Sequence, residues 1–192
     1  MTSLIPFLVE ARRHFDGIAT QYRLAFSEGN EWSLRYDGSA VFLEVHFDNG
    51  RSFELGVEIG RKISSQPERP FSLAEILRLR SIPSADRIDR LSVPQPDSLV
   101  RGLQALRELV QTHASDFLSG DDRSFAELAA QRDKETAAYA IERDLRSARR
   151  RAEAAWNQKD YRAVVDVLSS IRPHLTPAEV KCLEYSLRRT SS

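Results

Sequence analysis

The stretch Trp32-Ser-Leu-Arg-Tyr-Asp-Gly-Ser-Ala-Val-Phe-Leu-Glu-Val-His-Phe-Asp-Asn-Gly-Arg-Ser-Phe-Glu-Leu-Gly-Val-Glu-Ile-Gly60 decides the fold. Trp32, Leu34 and Tyr36 alternate with Ser33 and Arg35. Val41, Leu43, Val45 and Phe47 share a face opposite Phe42, Glu44 and His46. Phe53, Leu55, Val57 and Ile59 oppose Ser52, Glu54, Gly56 and Glu58. A period of two is the signature of a strand with one face buried. Asp37-Gly38 and Asn49-Gly50 separate the runs, and both dipeptides tolerate the positive φ of a type I′ turn. The expectation is a three-stranded antiparallel meander, with Tyr22–Phe26 as a fourth strand. Its apolar face requires a helical cover.

Upstream, Leu4, Phe7, Leu8, Ala11 and Phe15 recur at helical spacing, so residues 3–15 form the natural cover. Pro6 fits its first turn and Gly17 reads as its stop. Downstream, residues 63–70 read as a connector, and Ser72 with Glu75 forms a capping box that opens a short helix ending near Pro83. Residues 83–96 hold Pro83, Pro94 and Pro96 among polar groups, and read as a hinge. It divides a region 1–82 from a helical region 97–190, unless the two pack as one domain.

From Asp97 a helix with Leu99, Leu103, Leu106, Val110 and Phe117 runs to Gly120. Asp121 or Asp122 caps a long helix reaching about Trp156, and Asp160 caps another that stops at Pro173. Thr176 and Glu179 form a second capping box, with Pro177 at the first helical position. The turn from Ala152 to Tyr161 resembles that of a tetratricopeptide-type unit. One such turn cannot build a solenoid, so a helical hairpin is expected, with Trp156 and Tyr161 packing its helices together. The fold class is α+β.

The chain has 192 residues with 28 basic and 28 acidic side chains. Zero net charge gives no global attraction to nucleic acid or anionic membrane. The first apolar run is short and is followed by Glu10, Arg12 and Arg13 instead of being preceded by charge, unlike a signal peptide. A cytoplasmic protein with no membrane partner is expected. Cys182 is the only cysteine, so no intramolecular disulfide exists.

No phosphate loop, paired cysteines, His-Glu-x-x-His or nucleophile elbow is present. No cofactor or metal is therefore expected. The polar face of the meander, Arg35, Glu44, His46, Glu54 and Glu58, is the candidate binding surface. A histidine flanked by carboxylates can act as an acid or base near neutral pH. The plainer reading is a solvated sheet face with cross-strand charge pairs. Two-residue hairpins place His46 across from Phe53 or Glu54. Arg143, Arg146, Arg149, Arg150 and Arg151 crowd one helix, but Glu142, Asp144 and Glu153 interleave with them and no aromatics are interspersed. Nucleic-acid binding is not expected.

The segments Arg151–Trp156, Asp160–Leu168 and Leu175–Tyr185, with their Leu-Thr-Pro-Ala-Glu stretch, resemble the tail of a group of uncharacterised bacterial proteins. These have a strand-rich N-terminal part before a helical tail, and resemble immunity proteins of bacterial toxin systems. The resemblance implies binding to another protein and brings no catalytic residues. The expected function is a non-enzymatic protein-interaction or binding protein of the immunity type. The alternative is an enzyme or small-ligand binder using the polar sheet face.

Overall fold

The computed structural model describes residues 7–48, 50–62 and 69–190. Leu4, Pro6, Asn49 and most of the connector, 63–68, lie outside the described residues. The chain forms two compact units, Met1–Arg132 and Asp133–Ser192. The division falls within a long helix and not at 83–96. That segment belongs to the first unit because Val93 N donates to Phe53 O at 2.8 Å and Leu55 N donates to Leu91 O at 2.9 Å. A short helix within it, α3 (Ala85–Ile88), buries Ala85 and Ile88.

The first unit holds an antiparallel sheet in the order β1 (Ala25–Gly29), β2 (Ser33–Asp37), β3 (Val41–Phe47), β4 (Leu55–Arg61), β5 (Phe71–Ser72). The meander is as expected, but its connections are not two-residue Asx-Gly turns. At the first, Gly38 N donates to Val41 O, and the chain reverses over Ser39 and Ala40. Gly38 serves close packing: a Cβ there would stand 2.7 Å from Leu24 Cδ2. At the second, Asp48 accepts bonds from the N–H groups of Gly50, Arg51 and Ser52 and from the Ser52 hydroxyl, at 2.8–3.3 Å. This carboxylate organises a wider loop in which Phe53 takes φ 53°. Phe47 consequently faces Leu55, where a two-residue turn would have set it against Ser52. His46 faces Gly56, not Phe53 or Glu54.

Leu34, Tyr36, Leu43, Val45, Val57 and Ile59 form the buried face. The helix α1 (Phe7–Gln21) covers it with Phe7, Ala11, Phe15 and Ile18. Tyr36 Oη donates to Asp16 Oδ1 at 2.5 Å, tying strand to helix, and burial with that bond raises the phenol well above its ordinary pKa. The capping box of α2 (Leu73–Leu79) forms as read, with Glu75 N bonded to Ser72 Oγ at 3.2 Å and Ser72 N to Glu75 Oε2 at 2.8 Å. The expected helix 97–120 is two: α4 (Pro96–His113) and α5 (Ser115–Leu118). Gly102 brings α4 against β4, since a Cβ would lie 2.9 Å from Leu55.

Gly17 does not end α1. The helix continues to Gln21 and closes with Leu24 N to Ala19 O and Arg23 N to Thr20 O, with Arg23 left-handed at φ 58°. The same paired bonds end α2 at Ser81 (φ 56°). This left-handed closing position favours glycine, because a Cβ costs about 1 kcal/mol there. Ser81→Gly is therefore expected to raise stability by about 0.5–1 kcal/mol in denaturant unfolding. An unchanged or lowered midpoint contradicts this reading of the turn.

The helix α6 (Asp122–Asn157) starts at Asp121, which accepts from Ser124 N at 2.8 Å. Its C-terminal part joins α7 (Tyr161–Ser170) and α8 (Pro177–Thr190) to build the second unit. Asp160 caps α7 through Ala163 N at 3.1 Å. Before Pro173, α7 has already given way to a 3-10 turn, Arg172–His174. Val164, Leu168 and Leu183 are buried in this core with Ala148, Ala152 and Ala155. Zero net charge conceals an asymmetry: the second unit has twelve basic and nine acidic residues, the first sixteen and nineteen.

Candidate functional site

On the outer face of the sheet, one row crosses all five strands: Glu28, Arg35, Glu44, Glu58 and Ser72. Ser33, His46 and Gly56 form the row beside it on one side, and Asp37, Phe42 and Gly60 the row on the other. The structure thus brings Arg35, Glu44, His46 and Glu58 together, all half-buried. Glu54 stands exposed before β4, its backbone bridged to Ser92. Glu28 joins the row because β1 begins at Ala25, three residues after the strand expected from the sequence.

Arg35 Nη1 lies 3.8 Å from Glu44 Oε2, and its Nη2 lies 3.2 Å from Asp37 Oδ1. Lys62 also reaches Asp37 at 3.5 Å. Burial pushes the Glu44 carboxyl up, and Glu58 and Glu28 push the same way against Arg35 and His46. Burial works upward on Asp37 as well, but bonds from Ser27 and Arg35 hold it below the ordinary carboxylate range. Glu44 thus faces Glu58 directly across the strands, with its carboxyl held above the ordinary glutamate range.

Phe42 points to this polar face yet is 1% exposed. It lies over Gly60, and the Arg35 guanidinium sits 3.9 Å from its ring centroid. His46 lies over Gly56 in the same manner. Each large ring fills the slot that the opposite glycine leaves, the pattern by which aromatics compensate glycine in sheets. A Cβ on Gly60 would meet the Phe42 ring at 2.3 Å. Gly60→Ala is expected to cost about 1–3 kcal/mol as the buried ring is displaced, read by chemical denaturation. Gly56→Ala should cost less, because His46 is half-buried and free to swing outward.

The second unit has a different surface. Arg149, Ala152, Glu153 and Trp156 of α6 face Ala178, Lys181, Cys182 and Tyr185 of α8 across a groove of ≈ 630 Å³ floored by Leu168. Trp156, Tyr161 and Tyr185 meet edge-to-face at its end, with ring centroids 5.5–5.8 Å apart. Trp156 and Tyr185 remain 38% and 39% exposed, so Trp156 is not the buried packing residue expected. Arg189 donates to Tyr185 Oη at 3.1 Å and pulls that phenol below its ordinary range, with Lys159 acting in the same direction. Arg149 donates to Glu179 at 2.8 Å and to the His174 carbonyl at 2.9 Å, which positions α8. Burial raises the Cys182 thiol pKa, which disfavours the reactive thiolate. Trp156 and Tyr161 were visible in the sequence as flanks of a turn. Tyr185 joins them from a separate helix.

Among the described residues, no group of three or more His, Cys, Asp or Glu side chains is placed to hold a metal ion, and no helix is long and apolar enough to cross a membrane. No family model matches the chain, and neither a curated protein nor a solved structure matches it.

Proposed function

We propose that the chain is a non-enzymatic protein-interaction protein whose contact surface is the groove of the second unit. The immunity-type role implied by its C-terminal resemblance is the more specific form of this reading. The observation that carries it is the half-exposed Trp156–Tyr161–Tyr185 cluster at the end of an apolar groove. Tryptophan, tyrosine and arginine dominate the energetics of protein interfaces, and here all three types converge. A photo-reactive residue placed at Glu153, on the groove, should cross-link a protein in the cells that make this chain. The same residue at Glu58, on the sheet, should give no adduct. Adducts only from position 58, or from neither, overturn the reading.

Glu44 supports a second reading, binding of a small ligand on the sheet face. Its carboxyl retains a proton more readily than an ordinary glutamate, and a basic ligand would replace that proton. Guanidinium and amine ligands would then raise the melting temperature of the native chain but not of Glu44→Gln. Equal shifts in both, or no shift, dispose of it.

A further inference from the structure

We infer that the groove of the second unit takes an acidic peptide segment anchored by a large apolar side chain; this rests on the protein-interaction reading above. The walls are one stripe of α6, Arg149, Ala152 and Trp156, and one of α8, Lys181 and Tyr185, which Arg189 continues beyond the groove at the same four-residue spacing, donating to Tyr185 Oη. Residues at that spacing share a helix face, so the α8 wall alternates cation, ring and cation. The groove volume suits one or two bulky side chains, within the few hundred to 1,000 Å³ typical of pockets that enclose a ligand.

Charge selects the occupant. Within the groove, Arg149 and Glu179 neutralise each other at 2.8 Å and Glu153 offsets Lys181, so the selecting charge lies at the aromatic end. At the aromatic end, the charged groups acting on Tyr185 are Arg189 and Lys159, both cationic. Lys159 is held there by the left-handed turn that closes α6, at φ 61° with its N–H on Trp156 O. From Arg146 to Thr190 the chain carries ten basic residues against five acidic ones. A partner segment whose anchor enters between Trp156 and Leu168 thus emerges beside cations on two sides. Single-stranded nucleic acid fits less well, since the groove is apolar and its three rings pack edge-to-face on one another instead of presenting a row of open faces for base stacking.

The test uses the full-length chain and fluorescein-labelled peptides alternating glutamate with leucine around a central tryptophan. Counterparts carry lysine or serine in place of glutamate, and an oligothymidine is the further probe. Fluorescence anisotropy should show binding of the acidic peptide that weakens with salt. Trp156→Ala should reduce affinity about tenfold or more, and Lys181→Glu severalfold. Both positions are solvent-exposed, and far-UV circular dichroism confirms that each variant is folded. Equal binding of the lysine or serine peptide overturns the acidic specificity and leaves the groove reading standing. Preferential, Trp156-dependent binding of oligothymidine overturns the peptide assignment. Binding of no probe overturns both.

Discussion

Phe15→Ala is expected to lower the unfolding free energy by about 3–5 kcal/mol. Phe15 is fully buried between α1 and the sheet, in the same core as Leu34, Tyr36, Leu43 and Val45. Truncation removes the ring's burial and leaves a cavity that a close-packed sheet face does not collapse to fill. Small domains are stable by about 5–15 kcal/mol in all, so this variant approaches unfolding at room temperature. Val9, on the same helix, is 59% exposed, and Val9→Ala should stay within about 0.5 kcal/mol. Equilibrium denaturation followed by circular dichroism gives both numbers. Similar costs for the two would mean that α1 does not dock through the Phe7–Ala11–Phe15–Ile18 stripe.

Arg132→Ala is expected to cost about 2–3 kcal/mol, less than loss of a fully buried partner because both side chains keep some exposure. Arg132 Nε and Nη2 donate to the two oxygens of Glu75 at 2.6 and 2.7 Å, and Nη2 also donates to Pro70 O at 2.7 Å. The guanidinium lies 3.8 Å from the Phe71 ring centroid. One side chain thereby fixes β5, the cap of α2 and the first part of α6. Lysine cannot reproduce this fork, so Arg132→Lys should recover only part of the loss. Burial acts upward on Glu75, but bonds from Arg132 and Ser72 outweigh it and hold the carboxyl below its ordinary range. A depressed carboxylate stabilises the fold above the unfolded-state value, about 4.5, and that contribution is lost as the pH falls through the lower folded value. Acid sensitivity below about pH 4.5 should therefore be shallower in Glu75→Gln than in the native chain. Superimposable pH profiles would remove Glu75 from the ion pair.

What could be read from the sequence was local. The alternation of Val41–Phe47 and Leu55–Ile59 identifies strands without reference to any partner. The capping boxes at Ser72 and Thr176 join residues only three positions apart and form as written. Helix ends were harder, because the rule looks for glycine and the left-handed positions hold Arg23, Ser81 and Lys159. The Asn-Gly signal misled for a related reason: Asp48 offers the loop a side-chain acceptor for three successive N–H groups, which outcompetes the tight turn. β5 is two residues long and has no period to detect. The Arg132–Glu75 pair joins positions 57 residues apart, beyond any local rule.

The candidate surfaces divide along the same line. Arg35, Glu44, His46 and Glu58 sit at polar positions of readable strands, so alternation alone places them on one face. The shift in register changes their neighbours, giving Glu44 to Glu58 and His46 to a glycine. The groove was not legible, because Trp156 and Tyr185 lie on separate helices brought together by contacts between distant positions, such as Leu183 with Ala152 and Leu168 in one core and Arg149 with Glu179. A tryptophan beside a turn reads as core until the third helix is placed.

Amide chemical-shift mapping of the full-length chain, titrated with the glutamate–tryptophan peptide, tests the location of the binding surface most directly. The largest shifts should fall on the Trp156 indole and on residues 149–156 and 178–189. Shifts concentrated instead at Arg35, Glu44, His46 and Glu58 would contradict it and return the function to the sheet.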